Sequence, residues 1–152
     1  MKARLFEVNI AVRDFDAAVK KFSEVLGVQP IFMKDSQMPM PGLKSAVFPI
    51  GEPVGQVIIG ITASADPDTP LARFLESKGE GVYVVGVEVD DIEENMKQMV
   101  DKGVKFVSDE PIPYVSGRMN LSLPRSMHGV QFCFAEHKDG YWEDFVLGAE
   151  QV

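Results

Sequence analysis

Several features are scarce or missing in this chain of 152 residues, and each scarcity excludes a class of protein. Cys133 is the single cysteine, so neither an internal disulfide nor a Cys-x-x-Cys metal motif can form. The 15 basic residues are outnumbered by 23 acidic ones, and the net charge of −8 argues against nucleic acid or an anionic membrane as the main partner. No apolar run reaches membrane-spanning length and residues 1–10 lack a signal-peptide core, so we expect a cytoplasmic protein.

What the chain does contain is a clear strand–helix unit at residues 84–103. Hydrophobic residues make up 45% of the sequence, which is enough for one domain with a buried core. Within the unit, alternating valines up to Val89 predict a strand with one buried face. Asp91 is placed to cap the following helix, and Gly103 is placed to end it.

A second unit at residues 8–27 repeats this pattern, with Asp14 as the predicted cap and Gly27 at the helix end. A repeat with a period near half the chain predicts a duplicated strand–helix–strands module. The alternative is chance similarity, because any amphipathic strand–helix unit shares caps and periods. The matching pairs are Val8 and Val85, Val12 and Val89, Asp14 and Asp91, Phe15 and Ile92, Val19 and Met96, Lys20 and Lys97, and Phe22 and Met99.

The remaining segments supply further strands and linkers. Thr69 followed by Pro70 predicts the start of a short helix. The prolines at residues 38–42 and 111–113 predict loops. Further strands are predicted at residues 28–33, 44–49, 56–62, 119–123 and 130–135. The chain then divides into an N-terminal module at about residues 5–62, a linker helix at about 69–78, a C-terminal module at about 82–135 and a tail at 136–152.

The predicted strands have a second face that is mixed in character. If Val8, Ile10 and Val12 pack on the first helix, the alternate side chains share the opposite face of the sheet. Such a face often contacts water in a one-sided antiparallel sheet. The alternative is a curved sheet whose second face lines a ligand pocket. The residues assigned to this face are Glu7, Asn9, Gln56, Arg118, Asn120, Gln131 and Cys133.

The run PDTPLARFLESKGEGVYVVGVEVDDIE at residues 67–93 resembles the methylmalonyl-CoA epimerases of the vicinal oxygen chelate (glyoxalase/bleomycin-resistance) superfamily. The segment EVNIAV at residues 7–12 is similar to the opening strand of the same family. This resemblance, which covers residues 5–135, implies an α+β fold. Two tandem βαβββ modules would form a cupped eight-stranded mixed sheet with helices on the outside. It also implies a homodimer. Arg118, Pro124, Ser126, Gly129 and Val130 match the family's last hairpin.

The resemblance implies a divalent metal site, but the ligand positions do not carry over. The first falls on Glu7, the second on Gly60 and the third on Val84. The fourth, a carboxylate that is also the family's base, falls on Cys133, and a further family glutamate aligns near Met40. Glycine and valine offer no side-chain donor, and such ions need several oxygen or imidazole ligands. We therefore expect no metal and no other cofactor.

Two functions remain open after this comparison. One is a metal-free protein that binds a small organic molecule in the cleft. The other is a metal-independent isomerase or lyase with Glu7 as the base, in which Asn9, Asn120 or Gln131 would donate to an enolate oxygen. True epimerase activity is the third and weakest possibility. The predicted ligand-binding residues are Asn9, Gln56, Tyr83, Arg118, Asn120, Gln131, Cys133 and Trp142, whereas His128 and His137 are expected to be solvated surface residues.

Overall fold

The computed structural model describes residues 1–51, 57–114 and 117–141. Its strands form one sheet in the order β2-β3-β4-β1-β5-β8-β7-β6. The elements are β1 Ala3–Ala11, α1 Phe15–Leu26, β2 Ile31–Phe32, β3 Leu43–Ile50, β4 Val57–Ser64, α2 Pro70–Lys78, β5 Gly81–Val89, α3 Ile92–Asp101, β6 Ile112–Tyr114, β7 Gly117–Leu121 and β8 Phe132–His137, with 3-10 turns at Asp35–Gln37 and Pro124–Ser126.

The two central strands join two modules of the same βαβββ connectivity. β1 pairs in parallel with β4 inside the first module, and β5 pairs in parallel with β8 inside the second. β1 and β5 then pair antiparallel, with Val8 opposite Val85. The strand order is therefore symmetric about the β1–β5 pair, as a duplicated module requires. The predicted fold class, a cupped eight-stranded mixed sheet made of two such modules, is confirmed.

The helices α1 and α3 follow the capping signals of the sequence. The Asp14 side chain accepts a hydrogen bond from the Ala17 backbone N–H at 3.0 Å, and Gly27 ends α1 with φ of 66°. The Asp91 side chain caps α3 in the same way. Both helices pack their apolar stripes on the convex face of the sheet, α1 over Phe48 and α3 over Phe134. Among the described residues, no helix has both the length and the apolar character needed to span a bilayer.

The short helix α2 covers one end of the concave face. Its Thr69 cap accepts a hydrogen bond from the Ala72 backbone N–H, and Pro70 fills the first turn. Leu71 and Leu75 pack on Ala11, which has no exposed surface. The sequence places Ala11 on the face of Glu7 and Asn9, so the cup is closed at this end by protein.

Two predicted segments differ in the structure. The proline-rich stretch predicted as a loop contains β6, because Pro113 lies in an edge strand where its missing N–H is tolerated. The second strand is confined to Ile31–Phe32 rather than residues 28–33, since Pro30 cannot donate a ladder hydrogen bond.

We expect Asp14→Ala to lower the free energy of unfolding by about 1 kcal/mol, because it removes the side-chain cap of α1. The matched control is Lys21→Ala on the exposed side of the same helix, which should change stability little. Urea denaturation of both variants measures the difference. Equal stability of the two variants would show that the cap contributes nothing.

Candidate functional site

The concave face of the sheet brings Glu7 and Cys133 together at its floor. Glu7 lies opposite Gly86 across the β1–β5 pair, and Gly86 lies opposite Cys133 across the β5–β8 pair. Because residues that oppose each other across a ladder share a face, these side chains point to the same side. Asn9, paired with Gly60 of β4, belongs to the same face. The floor of the cup is thus built from the first or last strands of both modules.

A β-bulge adds an aromatic ring to this floor. The β1–β5 register shifts between Leu5 and Glu7, which lets the neighbouring Phe6 and Glu7 side chains both reach the concave side. The Phe6 ring lies only 2.8 Å from the position that a Cβ on Gly86 would take. Gly86 is therefore required for this ring to lie flat on the floor.

Glu7 and Asn9 form the polar centre of the face. The Asn9 Nδ2 donates to Glu7 Oε1 at 2.9 Å. Burial raises the pKa of Glu7 above its ordinary value of 4.5, and the hydrogen bond from Asn9 only partly opposes this. Part of the Glu7 residue nevertheless remains accessible, as expected for a side chain enclosed by a concave wall. Glu7 is thus a carboxyl group that holds its proton more tightly than a solvated glutamate does.

The glycine at position 60 makes room for this pair. A Cβ there would lie 2.6 Å from Asn9 Nδ2 and 3.0 Å from Glu7 Oε1. The amide and the carboxyl group therefore fill the space into which a larger side chain at position 60 would project. Asn9 Oδ1 is buried and has no hydrogen-bond partner among the described residues. Such an orphan acceptor costs about 1–3 kcal/mol, which makes it a place where a donor is wanted.

Cys133 is chemically quiet at this location. Burial raises the pKa of its thiol, and the negative charge of Glu7 raises it further. A thiol that keeps its proton is a poor nucleophile and a poor metal ligand. The prediction of Cys133 as a small buried lining residue fits this environment better than a reactive role.

A second cluster on the concave side was missed from the sequence. Arg4 donates to Glu88 Oε2 at 3.1 Å, and the same oxygen lies 2.5 Å from His137 Nδ1. The expectation that His137 is a solvated surface residue is wrong, because its side chain is only 4% exposed. Its Nε2 is buried with no hydrogen-bond partner in the described part of the chain. The His137 and Phe6 rings meet edge to face, with 4.6 Å between their centroids. This contact connects the cluster to the floor around Glu7.

The contacts in this cluster shift the pKa values of Glu88 and His137. Burial acts to raise the pKa of Glu88, but hydrogen bonds and positive charge from His137 and Arg4 together lower it below the ordinary value. Burial lowers the pKa of His137, against the opposing effect of Glu88. The Glu88 carboxylate therefore fixes the orientation of the imidazole from its Nδ1 side.

Tyr141 crosses from this cluster to the other module. Its ring stacks on His137 at 3.9 Å between centroids, with only 1° between the ring planes. It also packs with Val47 and Ile58, and it is only 6% exposed. Val47 and Ile58 share the face of Gly60, since Val47 pairs with Gly60 and Ile58 lies two residues away on the same strand. The chain beyond β8 thus returns over the cup and inserts a tyrosine between the modules.

Several predicted site residues take up other positions. Arg118 and Asn120 lie on the convex side: Arg118 pairs with Glu136 at 3.1 Å, and Asn120 Nδ2 donates to the Ser108 carbonyl at 2.8 Å. Their predicted placement on the concave face is wrong, because Asn120 pairs with Phe134, whose ring packs on the α3 side of the sheet. The alternation within β7 was therefore assigned one residue out of phase.

The other predicted positions divide into three groups. Tyr83 packs on Phe74 of α2, with 5.0 Å between ring centroids, and burial raises its pKa despite the charge of Arg73. Gln131 immediately precedes β8, two residues before Cys133, and its carbonyl accepts from the Val85 N–H. Gln56 and Trp142 lie outside the described residues.

A surface depression lies beside the loop that precedes β3. It has a volume of about 520 Å³ and includes Met40, the position near which the family glutamate aligns. It is lined by loop residues and the start of β3, and neither Glu7 nor Asn9 contributes to it. The lining residues are Asp35, Met38, Pro39, Met40, Pro41, Gly42, Leu43, Lys44 and Ala65.

The sequence profile of the Glyoxalase/Bleomycin resistance protein/Dioxygenase superfamily matches residues 7–120. The chain belongs to this superfamily. The predicted resemblance to it is confirmed.

Two sequence relatives differ greatly in coverage. The uncharacterized protein YqjC of Bacillus subtilis is 26% identical over 136 residues, which span 89% of this chain and 93% of that protein. A 4-hydroxyphenylpyruvate dioxygenase of Pseudomonas aeruginosa is 37% identical over 57 residues. That match spans 37% of this chain but only 16% of the dioxygenase.

Solved structures share the whole fold. A hypothetical protein from Bacillus halodurans C-125 superimposes with a TM-score of 0.79 and 27% identity, covering 91% of this chain and 97% of that one. Methylmalonyl-CoA epimerase from Mycobacterium tuberculosis superimposes with a TM-score of 0.74 and 24% sequence identity. The match covers 88% of this chain and 87% of that one. A methylmalonyl-CoA epimerase in complex with methylmalonyl-CoA and NH4+ superimposes with a TM-score of 0.77 and 22% sequence identity. The match covers 91% of this chain and 97% of that one. The likeness to the epimerases, below 25% identity, shows the fold.

The raised pKa of Glu7 predicts a pH-dependent gain in stability for Glu7→Gln. The fold binds the Glu7 proton more tightly than the unfolded chain does, so this group favours folding below pH 4.5 and the benefit is lost as pH rises through the folded-state pKa. The neutral glutamine keeps an oxygen that accepts from Asn9. The variant should therefore melt at a higher temperature than the native protein at pH 8, and the difference should shrink toward pH 4.

The control for this experiment is Glu24→Gln, an exposed position on α1, which should show no such difference. Thermal melts at several pH values compare the three proteins. A Glu7→Gln variant that is less stable than the native protein at pH 8 would contradict the assigned environment of Glu7.

Proposed function

We propose that this protein binds a small organic molecule on the concave face, at Glu7 and Asn9, without a metal ion. The observation that carries the proposal is the pair of polar groups with incomplete hydrogen bonding at the floor of the cup. Asn9 Oδ1 is buried without a partner among the described residues, and the one hydrogen bond found to the Glu7 carboxyl group comes from Asn9. Buried polar groups in this state favour a ligand that brings the missing hydrogen bonds.

The donors on this face do not fit a divalent metal. The positions that correspond to family ligands hold Glu7, Gly60, Val84 and Cys133, of which the first is the one oxygen donor and the last keeps its proton. The space at Gly60 is taken by the Asn9 amide. No group of three or more His, Cys, Asp or Glu side chains could hold a metal ion within residues 1–51, 57–114 and 117–141. Mg²⁺ or Mn²⁺ would lack the oxygen ligands that it needs.

The chemistry of the floor indicates what the ligand must offer. Asn9 Oδ1 needs a hydrogen-bond donor, and the oxygens of the Glu7 carboxyl group can accept further hydrogen bonds beside the one from Asn9. The walls beside them, Phe6 and Ile58, are apolar. We therefore infer a ligand with an apolar body and at least one N–H or O–H group that reaches the floor.

The second candidate is a metal-independent isomerase or lyase. The raised pKa of Glu7 favours it, because a carboxylate with a raised pKa is a better general base. The base would take a proton from carbon, and the enolate oxygen would then need hydrogen-bond donors. Asn120 is on the other face, and the Asn9 amide already donates to Glu7. Among the described residues, Gln131 is then the one predicted amide left to donate to the enolate oxygen. Ligand binding is therefore better supported than catalysis.

We expect the purified protein to hold well below one equivalent of divalent metal and to keep its melting temperature in EDTA. Elemental analysis and thermal melts with and without EDTA test this. A stoichiometric cation that is lost in Glu7→Gln would overturn the metal-free proposal.

Binding is tested by screening a library of small organic molecules in the presence of EDTA. The melting temperature of the protein is measured with each molecule. Molecules that stabilise the native protein should stabilise Asn9→Leu and Glu7→Gln less, because ligand binding to the folded state raises its stability. The matched control is Arg118→Gln on the opposite face, which should respond like the native protein. Equal stabilisation of all four proteins would place binding elsewhere.

The catalytic alternative has its own assay. Exchange of the α-proton of methylmalonyl-CoA in D2O, followed by NMR, reports proton removal without assuming an end product. We expect no exchange above background. Exchange that is abolished in Glu7→Gln but kept in Arg118→Gln would favour the isomerase or lyase over the binding protein.

A further inference from the structure

The slot filled by the Tyr141 ring has the features of a ligand site. One wall is the face of the His137 imidazole, in parallel contact at 3.9 Å. The opposite module contributes Val47 and Ile58, with Met33 at the margin. A slot with one flat aromatic wall and these apolar residues opposite it suits a planar ring. In this structure the chain places its own phenol ring there.

The slot adjoins the polar floor of the cup. Ile58, which contacts Tyr141, is the register partner of Glu7 across the β1–β4 pair. On the other side, the Phe6 ring meets the edge of His137. A molecule that extends from the slot would therefore reach Glu7 along the concave surface.

We propose that this slot is an aryl-binding site, and that a ligand with a planar aromatic group takes it by displacing the Tyr141 ring. This proposal rests on the concave face being the ligand site of the proposed function, and it adds the chemical class of the ligand. The occupant of the slot is a p-hydroxyphenyl group already, which sets the size and shape that fit.

The wall of the slot is held independently of Tyr141. His137 belongs to β8 and is fixed by Glu88, which is itself bound by Arg4. Tyr141 lies beyond β8 in a turn, and its backbone N–H donates to the Lys138 carbonyl at 3.1 Å. A segment at the end of a sheet opens at lower free energy than the sheet itself. The tyrosine can therefore leave while the imidazole wall stays in place.

Cys133 gives a direct readout of this displacement. It is the single cysteine of the chain and lies on the concave floor. Its side chain is partly exposed, and its reaction rate with a thiol reagent such as DTNB reports how readily the reagent enters the cup. We expect Tyr141→Ala to react about tenfold faster than the native protein, because the rate follows the population of the open state. Tyr141→Phe, which keeps the ring, should react at the native rate.

A matched control separates opening from general destabilisation. Phe106→Ala removes an aromatic ring from the convex side, where Phe106 packs on Phe134. Even if Phe106→Ala lowers the melting temperature as much as Tyr141→Ala does, the Cys133 thiol of Phe106→Ala should react at nearly the native rate. If Tyr141→Ala does not fold, Tyr141→Leu serves in its place, since it keeps an apolar group while removing the ring.

The chemical class is tested with p-cresol, the side chain of tyrosine as a free molecule, against cyclohexanol as a non-aromatic control. We expect p-cresol to raise the melting temperature of Tyr141→Ala and to slow its thiol reaction toward the native rate, with a smaller effect of cyclohexanol. The native protein should need higher p-cresol concentrations, since the ring of Tyr141 competes.

Two results would overturn the proposal. One is a thiol rate in Tyr141→Ala no faster than in Phe106→Ala, which would mean that Tyr141 does not cover the cup. The other is equal protection by cyclohexanol and p-cresol, which would mean a slot without aryl preference. Adding Arg118→Gln, on the convex face, to Tyr141→Ala should leave the p-cresol effect unchanged. If p-cresol fails while other molecules still stabilise the native protein through Glu7 and Asn9, the aryl slot is ruled out and the proposed function stands.

Discussion

The pairing of β1 with strands on both sides is the constraint on which the structure depends. β1 binds β4 of its own module and β5 of the other module, so it lies at the middle of the single sheet. Glu7 is therefore enclosed by both modules, and burial is the largest influence on its pKa. A carboxyl group in that position is costly when charged, which is why it keeps its proton more tightly. The polar floor of the cup follows from this one placement.

The side chains of the concave face fit one another closely. Gly60 lacks a metal-binding side chain, and the same absence makes room for the Asn9 amide to bind Glu7. Cys133, a small thiol beside a buried carboxyl group, completes a floor that is crowded and little charged. These features are consistent with one another as a binding surface for an organic molecule. Of the positions that correspond to family metal ligands, Glu7 holds an oxygen donor, whereas Gly60 and Val84 hold no side-chain donor.

The fold could be predicted from the sequence, whereas the site could be predicted only in part. The repeat, the Asp14 cap and the strand alternation of β1 depend on local patterns, and local patterns are visible in a sequence. Placing Asn120 required the register of β7 against β8, which a one-residue error reverses. Phe6 reaches the cup through a bulge, and Tyr141 through packing between modules. Neither leaves a periodic signal in the sequence.

The most direct test of the metal-free site is the pKa of Glu7, measured by carboxyl 13C NMR on the native protein. We predict a value above 4.5, unchanged by added Mg²⁺, Mn²⁺ or Co²⁺, because burial sets it and no further ligands surround a cation there. A pKa at or below 4.5, or a Glu7 signal that shifts or broadens with stoichiometric metal, would contradict the account.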